Sequence, residues 1–310
     1  MKVAFTFWSS RPVPPVAYGG FERILYYLSV ELPKLADVTC YCDVAWFPHW
    51  KLWSVTGESE IPVQDFDCVL NISNVRFSAP VVNYEWGYGH TKNVVVPSMK
   101  ESLIRHQPNR VVYFGTDVNY FRFNPNKEDY FVYFGRIHES KGPQVALEIA
   151  RRTGIRLKIM GEDREPTFFN TPETQQFVER IKRESAQLGN VEYLGSVSNE
   201  TVVDTLGRAK AMLYPIQGQF MFDLTVIEAL SCGTPVIVSD LPAPNELVED
   251  GRTGFKCRHE HVEDFCEAVK KVSALSPEVC RQVAVERWSS TRMARELVDL
   301  CEQVSRGMSW

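Results

Sequence analysis

No stretch of this sequence approaches the ~18 consecutive apolar residues that a membrane-spanning helix requires. The opening Met-Lys-Val-Ala-Phe-Thr-Phe lacks the longer apolar core and small-residue cleavage site of a secretory signal, and reads as a first strand. Cysteine occurs at 40, 42, 68, 232, 257, 266, 280 and 301 but never as Cys-x-x-Cys, which argues against a zinc site or a dithiol redox centre. These residues read as buried thiols in a reducing, cytoplasmic compartment. No Gly-x-Gly-x-x-Gly follows the first strand, which counts against a nicotinamide or flavin dinucleotide site. Basic charge is not in surplus either. Residues 1–125 carry 11 Lys and Arg against 11 Asp and Glu, the remainder 23 against 28, and the net charge is −5. An acidic second half makes a poor nucleic-acid binder.

What is present is enough for two domains: 310 residues, 44% hydrophobic and 24% charged. Short apolar strands alternate with amphipathic helices, the pattern of a parallel, doubly wound α/β architecture. Strands are expected at 2–7, 38–42, 68–72, 81–84, 94–96 and 111–114. A second series begins at 130–134 and continues at 156–160, 191–194 and 211–214. A helix after Gly19-Gly20 aligns Phe21, Ile24, Leu25, Leu28 and Leu32 on one face. Helix 144–152 follows a first-turn proline, Pro143. Helix 173–188 is expected to stop at a left-handed Gly189, and helix 199–206 to be capped by Ser198. Three helices near 262–274, 277–287 and 290–306 close the chain. The aperiodic, polar segment 121–129 is the expected linker. The domains are then 1–125 and 126–289, with 290–310 returning to pack on the first.

Phe220 to Asp240 is the most informative segment. It reads as a helix opening at about Asp223 and closing on Gly233, then running into a strand. The first amides of a helix lack intrahelical partners, so such an end is a ready anion site. Glu228 lies three residues beyond Thr225 on the same face, so a carboxylate and free amides can meet one ligand. That pairing suits a nucleotide with ribose hydroxyls and a diphosphate. In Phe134–Pro143, Arg136 stands at a strand end and Lys141 just before a helix, where open α/β sheets bind ligands. Two such cations can hold a diphosphate; an exposed loop with ordinary ion pairs is the alternative. Gly19-Gly20 offers a further backbone anion site, or a simple chain reversal.

Taken in order, these segments resemble a family 4 retaining glycosyltransferase of the GT-B fold, with two facing Rossmann-like doubly wound domains. Gly19-Gly20-Phe-Glu-Arg is similar to that family's glycine-rich first loop, and Val112–Phe121 to its stretch before the hinge. Gly135-Arg136 with Lys141-Gly142 resembles the donor-phosphate segment, and Asn190–Gly195 the strand beside the nucleobase. Leu224–Val236, with Glu228 inside it, resembles the signature helix. The resemblance implies a sugar transferred from a nucleotide diphosphate-sugar, with no metal or other cofactor. Arg136 and Lys141 would hold the diphosphate, and Glu228 would accept from the ribose hydroxyls. Amides around Leu224 and Thr225, with Gly135, would meet phosphate oxygens. The acceptor would be a sugar, a lipid-linked molecule or a small molecule, and closure would bring the first glycine loop over the donor.

The chain departs from the family's paired-glutamate motif. Phe220 stands where the first glutamate belongs, eight positions before Glu228, and Asp223 stands at the usual glycine. Asp223 is read in three ways: as an N-cap accepting from its own helix, as a sugar-hydroxyl contact replacing the missing glutamate, or as a charge that repels the diphosphate in a degenerate binder. No histidine occupies the family's strand-end position; Glu85 or His90 would supply the acid/base or sugar contact, with an exposed loop histidine as the alternative for His90. Trp86, Tyr88, Tyr18, Trp46, Trp50 and Trp53 are candidates for an acceptor platform or for core. A helix from Ser98 with Lys100, Arg105 and His106 gives a weak membrane-surface signal. The rival functions are a nucleotide-sugar binder without transfer and another two-domain nucleotide-sugar enzyme such as a 2-epimerase.

Overall fold

The computed structural model describes residues 1–9, 12–13, 15, 19–43, 50–53, 58–85, 89–105, 107–163 and 171–310. Tyr18, Trp46, Trp86, Tyr88 and His106, named above, lie outside them. The chain forms two compact units. Unit 1 comprises Met1–Asp117 and Trp288–Trp310, and unit 2 comprises Val118–Arg287.

In unit 1 the described residues form a sheet from β1 (Lys2–Phe7), β2 (Asp37–Cys42), β3 (Lys51–Leu52), β4 (Cys68–Ile72), β5 (Val81–Tyr84), β6 (Val94–Val96) and β7 (Asn109–Val111). The order is β3-β2-β1-β4-β5-β6-β7, and the paired strands are parallel. β4, β5 and β6 are buried along their whole length, which explains why they show no alternation of apolar and exposed polar positions; the buried polar residues in β4 and β5, Asn71 and Asn83, are hydrogen-bonded to each other. Helices α1 (Gly20–Glu31) and α2 (Met99–Ile104) follow β1 and β6. Trp50 and Trp53 are buried, Trp53 within a cluster containing Tyr41, Val69 and Val81, so these two aromatics are core.

Unit 2 alternates strand and helix: β8 (Phe131–Phe134), α3 (Pro143–Thr153), β9 (Leu157–Met160), α4 (Pro172–Gln187), β10 (Val191–Gly195), α5 (Asn199–Arg208), β11 (Ala211–Tyr214), α6 (Leu224–Ser231), β12 (Val236–Ser239), α7 (Pro242–Leu247), β13 (Gly254–Cys257), α8 (Val262–Lys271) and α9 (Pro277–Arg287). The strands run in the order β10-β9-β8-β11-β12-β13. Leu147 of α3, Ile181 of α4 and Phe265 of α8 join the core that covers the sheet. Each fully buried side chain of that size contributes about 1.5–3 kcal/mol over its exposed state. The last helix, α10 (Ser290–Ser305), belongs to unit 1, where it packs on α1, β4 and β5 through Met293, Leu297 and Cys301.

Two local expectations are corrected. Segment 121–129 is not a free linker but part of unit 2. Phe121 is buried, and the Lys127 ammonium donates to Gly207 O, Cys232 O and Thr234 Oγ1 at 2.7, 3.1 and 2.9 Å, where α5 and α6 end. Its aperiodic polarity reflects irregular backbone that is nevertheless anchored. Gly189 does not take the left-handed conformation: α4 ends in an extended Leu188 whose N–H donates to Ser185 O. The Asn190 side chain donates to Ala150 O and Ile155 O, and so turns the chain directly into β10.

Candidate functional site

β8 and β11 are adjacent, yet the chain leaves them in opposite directions, β8 toward β9 and β10, β11 toward β12 and β13. Such a reversal opens a crevice at the carboxyl ends of the two strands. The structure gathers Gly135, Arg136, Lys141, Asp223, Leu224 and Thr225 around this point.

Gly135 and Arg136 continue directly from β8. Arg136 is half-buried, and its carbonyl accepts from the Tyr133 hydroxyl at 2.9 Å. A single 3-10 turn, Glu139–Lys141, then presents Lys141. His138 shapes that turn by accepting at Nδ1 from the Ser140 amide (3.2 Å). Burial pushes the His138 imidazole below its ordinary value, and the nearby Arg136 and Lys141 charges push the same way against Glu139. Gly142 closes the turn at φ +78°, and a Cβ there would lie 1.9 Å from the Pro215 carbonyl oxygen, so only glycine fits. The Ser140 carbonyl accepts from the amides of Gln217 and Gly218, which ties the turn to the loop after β11.

Lys141 is the centre of this arrangement. Its ammonium donates to the Tyr214 hydroxyl at 2.9 Å and to Asp223 Oδ1 at 3.0 Å, and lies 3.2 Å from the centroid of the Phe220 ring. Tyr214 donates onward to the same Asp223 oxygen at 2.7 Å. Burial lowers the Lys141 pKa, and the Asp223 carboxylate opposes it.

α6 begins at this cluster and is buried at every position, Thr225 and Glu228 included. Asp223 occupies its N-cap position, but its side chain makes no capping bond to the helix. This corrects the capping reading: a buried ammonium offers a charged partner, and a neutral amide cap worth about 0.5–2 kcal/mol loses to it. Asp223 Oδ2 and Thr225 Oγ1 are both buried without a hydrogen-bond partner among the described residues. Glu228 is fully buried one turn further along the helix.

Unit 1 brings Glu85 and His90 together. Glu85, fully buried at the end of β5, pairs with Arg105 Nη2 at 2.5 Å and accepts from the His90 amide at 3.1 Å. His90 Nε2 lies 2.8 Å from Ser73 O and 4.0 Å from Glu85 Oε2. His90 is therefore buried, not an exposed loop residue, and Arg105 turns inward to Glu85 rather than outward to a surface. Beside Arg105, α2 exposes Met99, Leu103 and Ile104. Gly19 and Gly20 open α1, where the acid nearest the helix end is the protein's own: a Cβ on Gly19 would meet Glu22 Oε2 at 2.5 Å.

Tyr214 and the Arg105 partnership were missed by sequence reasoning. Tyr214 is 73 residues from Lys141. Its one available signal was its place at the end of a strand. Among the described residues no group of three or more His, Cys, Asp or Glu is arranged to hold a metal, and no helix is long and apolar enough to cross a membrane.

A doubly wound parallel unit with cations and a helix amino end at its switch point defines a class of α/β domain that holds phosphate esters. More particularly, residues 128–274 match the family described as glycosyl transferases group 1. The chain is 25% identical over 186 residues to D-inositol 3-phosphate glycosyltransferase of Mycolicibacterium smegmatis, a match spanning 60% of this chain and 42% of that protein. It is 29% identical over 146 residues to glycogen synthase of Mycobacterium tuberculosis, spanning 46% and 33%. The chain thus aligns with less than half the length of these curated relatives. Among solved structures, AviGT4, a glycosyltransferase involved in avilamycin A biosynthesis, superposes with a TM-score of 0.75 at 21% identity, covering 100% of this chain and 99% of that one. Anabaena HepE, solved with UDP-glucose, gives 0.71 at 14%, covering 98% and 100%. The fold is that of the GT-B glycosyltransferases: two Rossmann-like parallel sheets with helices.

Proposed function

We propose that this chain is a retaining, metal-independent glycosyltransferase that moves a sugar from a nucleotide diphosphate-sugar to a sugar, lipid-linked or small-molecule acceptor. The observation that carries the reading is the meeting of the Lys141 ammonium with the amino end of α6 at the carboxyl ends of β8 and β11, with Arg136 beside them. Negative charge grows on the diphosphate as the bond to the sugar breaks. Cations and amides fixed in place beforehand lower that barrier without reorganising, and each such donor is worth about 10²–10³ in rate. Arg136 offers a planar, bidentate grip and Lys141 a point charge. The amides of Leu224 and Thr225 meet phosphate oxygens, and Glu228 accepts from the ribose hydroxyls. That a protein of the same fold was solved with UDP-glucose agrees with a nucleotide-sugar donor. The cysteines stand as free thiols, which suits a cytoplasmic setting.

A second reading, a nucleotide-sugar binder without transfer, is favoured by Phe220 at the family's glutamate position and by the Asp223 charge on Lys141. Incubation with UDP-, GDP- and ADP-sugars separates the two. Sustained release of nucleoside diphosphate that depends on an acceptor supports transfer, whereas tight binding without turnover overturns it.

A further inference from the structure

We infer that Asp223 reads a hydroxyl of the donor sugar and so sets which nucleotide diphosphate-sugars this site takes. The inference rests on the proposed nucleotide-sugar reading and deepens it. Its starting point is an imbalance on one carboxylate. Oδ1 of Asp223 accepts from both Lys141 and Tyr214. Oδ2 accepts from nothing among the described residues, although it is buried in a residue that is 2% exposed. A buried carboxylate oxygen left without a donor is costly, and the amides of α6 do not serve it.

The chemistry of the missing donor is restricted. Phosphate oxygens only accept at neutral pH, so the diphosphate held by Lys141 does not satisfy Oδ2; it repels it. In a nucleotide diphosphate-sugar, the groups next to the diphosphate that carry a proton to give are hydroxyls. On the nucleoside side, the proposed function assigns the ribose hydroxyls to the buried Glu228. That leaves the sugar hydroxyls for Asp223.

Phe220 explains why the task falls on this residue. No carboxylate is present at position 220; a ring lies there instead, its face turned to the ammonium at 3.2 Å. Asp223 is the carboxylate paired with Lys141 among the described residues. A site built to hydrogen-bond a substrate hydroxyl rejects the analogue that lacks it far more strongly than an apolar pocket discriminates by size. The substrate class is therefore a hexosyl donor with a free hydroxyl within reach of Oδ2, not its deoxy counterpart.

Calorimetry on the full chain tests this. UDP, GDP and ADP identify the base, and the tightest of the glucose, galactose and mannose esters of that base is then compared with the free diphosphate in wild type and in Asp223→Asn. The ratio of ester to diphosphate affinity is expected to fall roughly tenfold or more in the variant, whatever happens to the diphosphate alone. Single-deoxy analogues of the same ester provide a measurement that does not depend on the variant. One of them should lose a similar factor in wild type and nothing further in Asp223→Asn. A ratio unchanged within about twofold, or a set of deoxy analogues that all bind wild type like the parent, overturns the role of Asp223 and leaves the diphosphate site standing. If no nucleoside diphosphate binds wild type, the proposed function itself is overturned.

Discussion

Replacing Lys141 by methionine removes the ammonium but keeps a long apolar stem, and the structure predicts two separable losses. The first is stability. Asp223, 1% exposed at its side chain, would be left with only the Tyr214 hydroxyl for a partner among the described residues. Breaking a buried pair by removing one partner costs about 3–5 kcal/mol. With a denaturant slope near the upper end of ~1–3 kcal/mol per molar urea, the unfolding midpoint falls on the order of 1–2 M. The second loss is ligand binding. A charge-assisted hydrogen bond is worth about 1.5–3 kcal/mol, so nucleoside diphosphate affinity falls roughly ten- to hundredfold. Adding Asp223→Asn to Lys141→Met removes the stranded charge. The double variant recovers most of the stability but not the hydrogen bond that Lys141 gives the diphosphate, so it binds more weakly than Asp223→Asn alone, because the two losses have different causes. Urea unfolding followed by circular dichroism, with calorimetric titration of UDP, measures both. A double variant that binds UDP as tightly as Asp223→Asn alone, or a Lys141→Met protein as stable as wild type, refutes the assignment of Lys141 as both ion-pair partner and phosphate ligand.

Raising pH deprotonates Lys141, and burial lowers its pKa, so diphosphate affinity should decline at a pH below the ordinary lysine value of ~10.4. Sign and cause are checked with Lys141→Arg, whose guanidinium stays charged and whose affinity should remain flat across the same range. Lys127→Met strands the acceptors Gly207 O, Cys232 O and Thr234 Oγ1 at the ends of α5 and α6. A cost of about 2–3 kcal/mol is expected, read as a lower urea midpoint with diphosphate affinity kept in the folded protein. Gly142→Ala puts a methyl into the Pro215 carbonyl at a left-handed φ; diphosphate binding should drop as the turn carrying Lys141 shifts, which titration measures. Glu85→Gln weakens the buried pair with Arg105, and thermal unfolding should shift downward by the equivalent of about 1–3 kcal/mol. A loss of kcat with unchanged stability would instead favour Glu85 as the acid/base group.

Sequence periodicity carries local information, and the site shows where that ends. α6 was legible because its start, its Gly233 stop and the following strand lie within one short segment, and Arg136 and Lys141 were legible because a strand end and a helix start flank them. The partners of Lys141 were not legible. Tyr214 and Asp223 reach it across 73 and 82 residues, and nothing in the spacing of a sequence encodes which side chains meet at a switch point. The capping reading of Asp223 failed for a different reason. Its local preference for capping a helix is real but small, about 0.5–2 kcal/mol, and a buried ammonium 3.0 Å away outweighs it. The same competition turned Arg105 from an expected surface cation into the partner of a fully buried Glu85. In both places a long-range charge pair overrides a local propensity. Both pairs also lie beside the residues that sequence reasoning had singled out for chemistry. Asp223 is the stronger case for a ligand contact, because one of its oxygens still lacks a donor among the described residues.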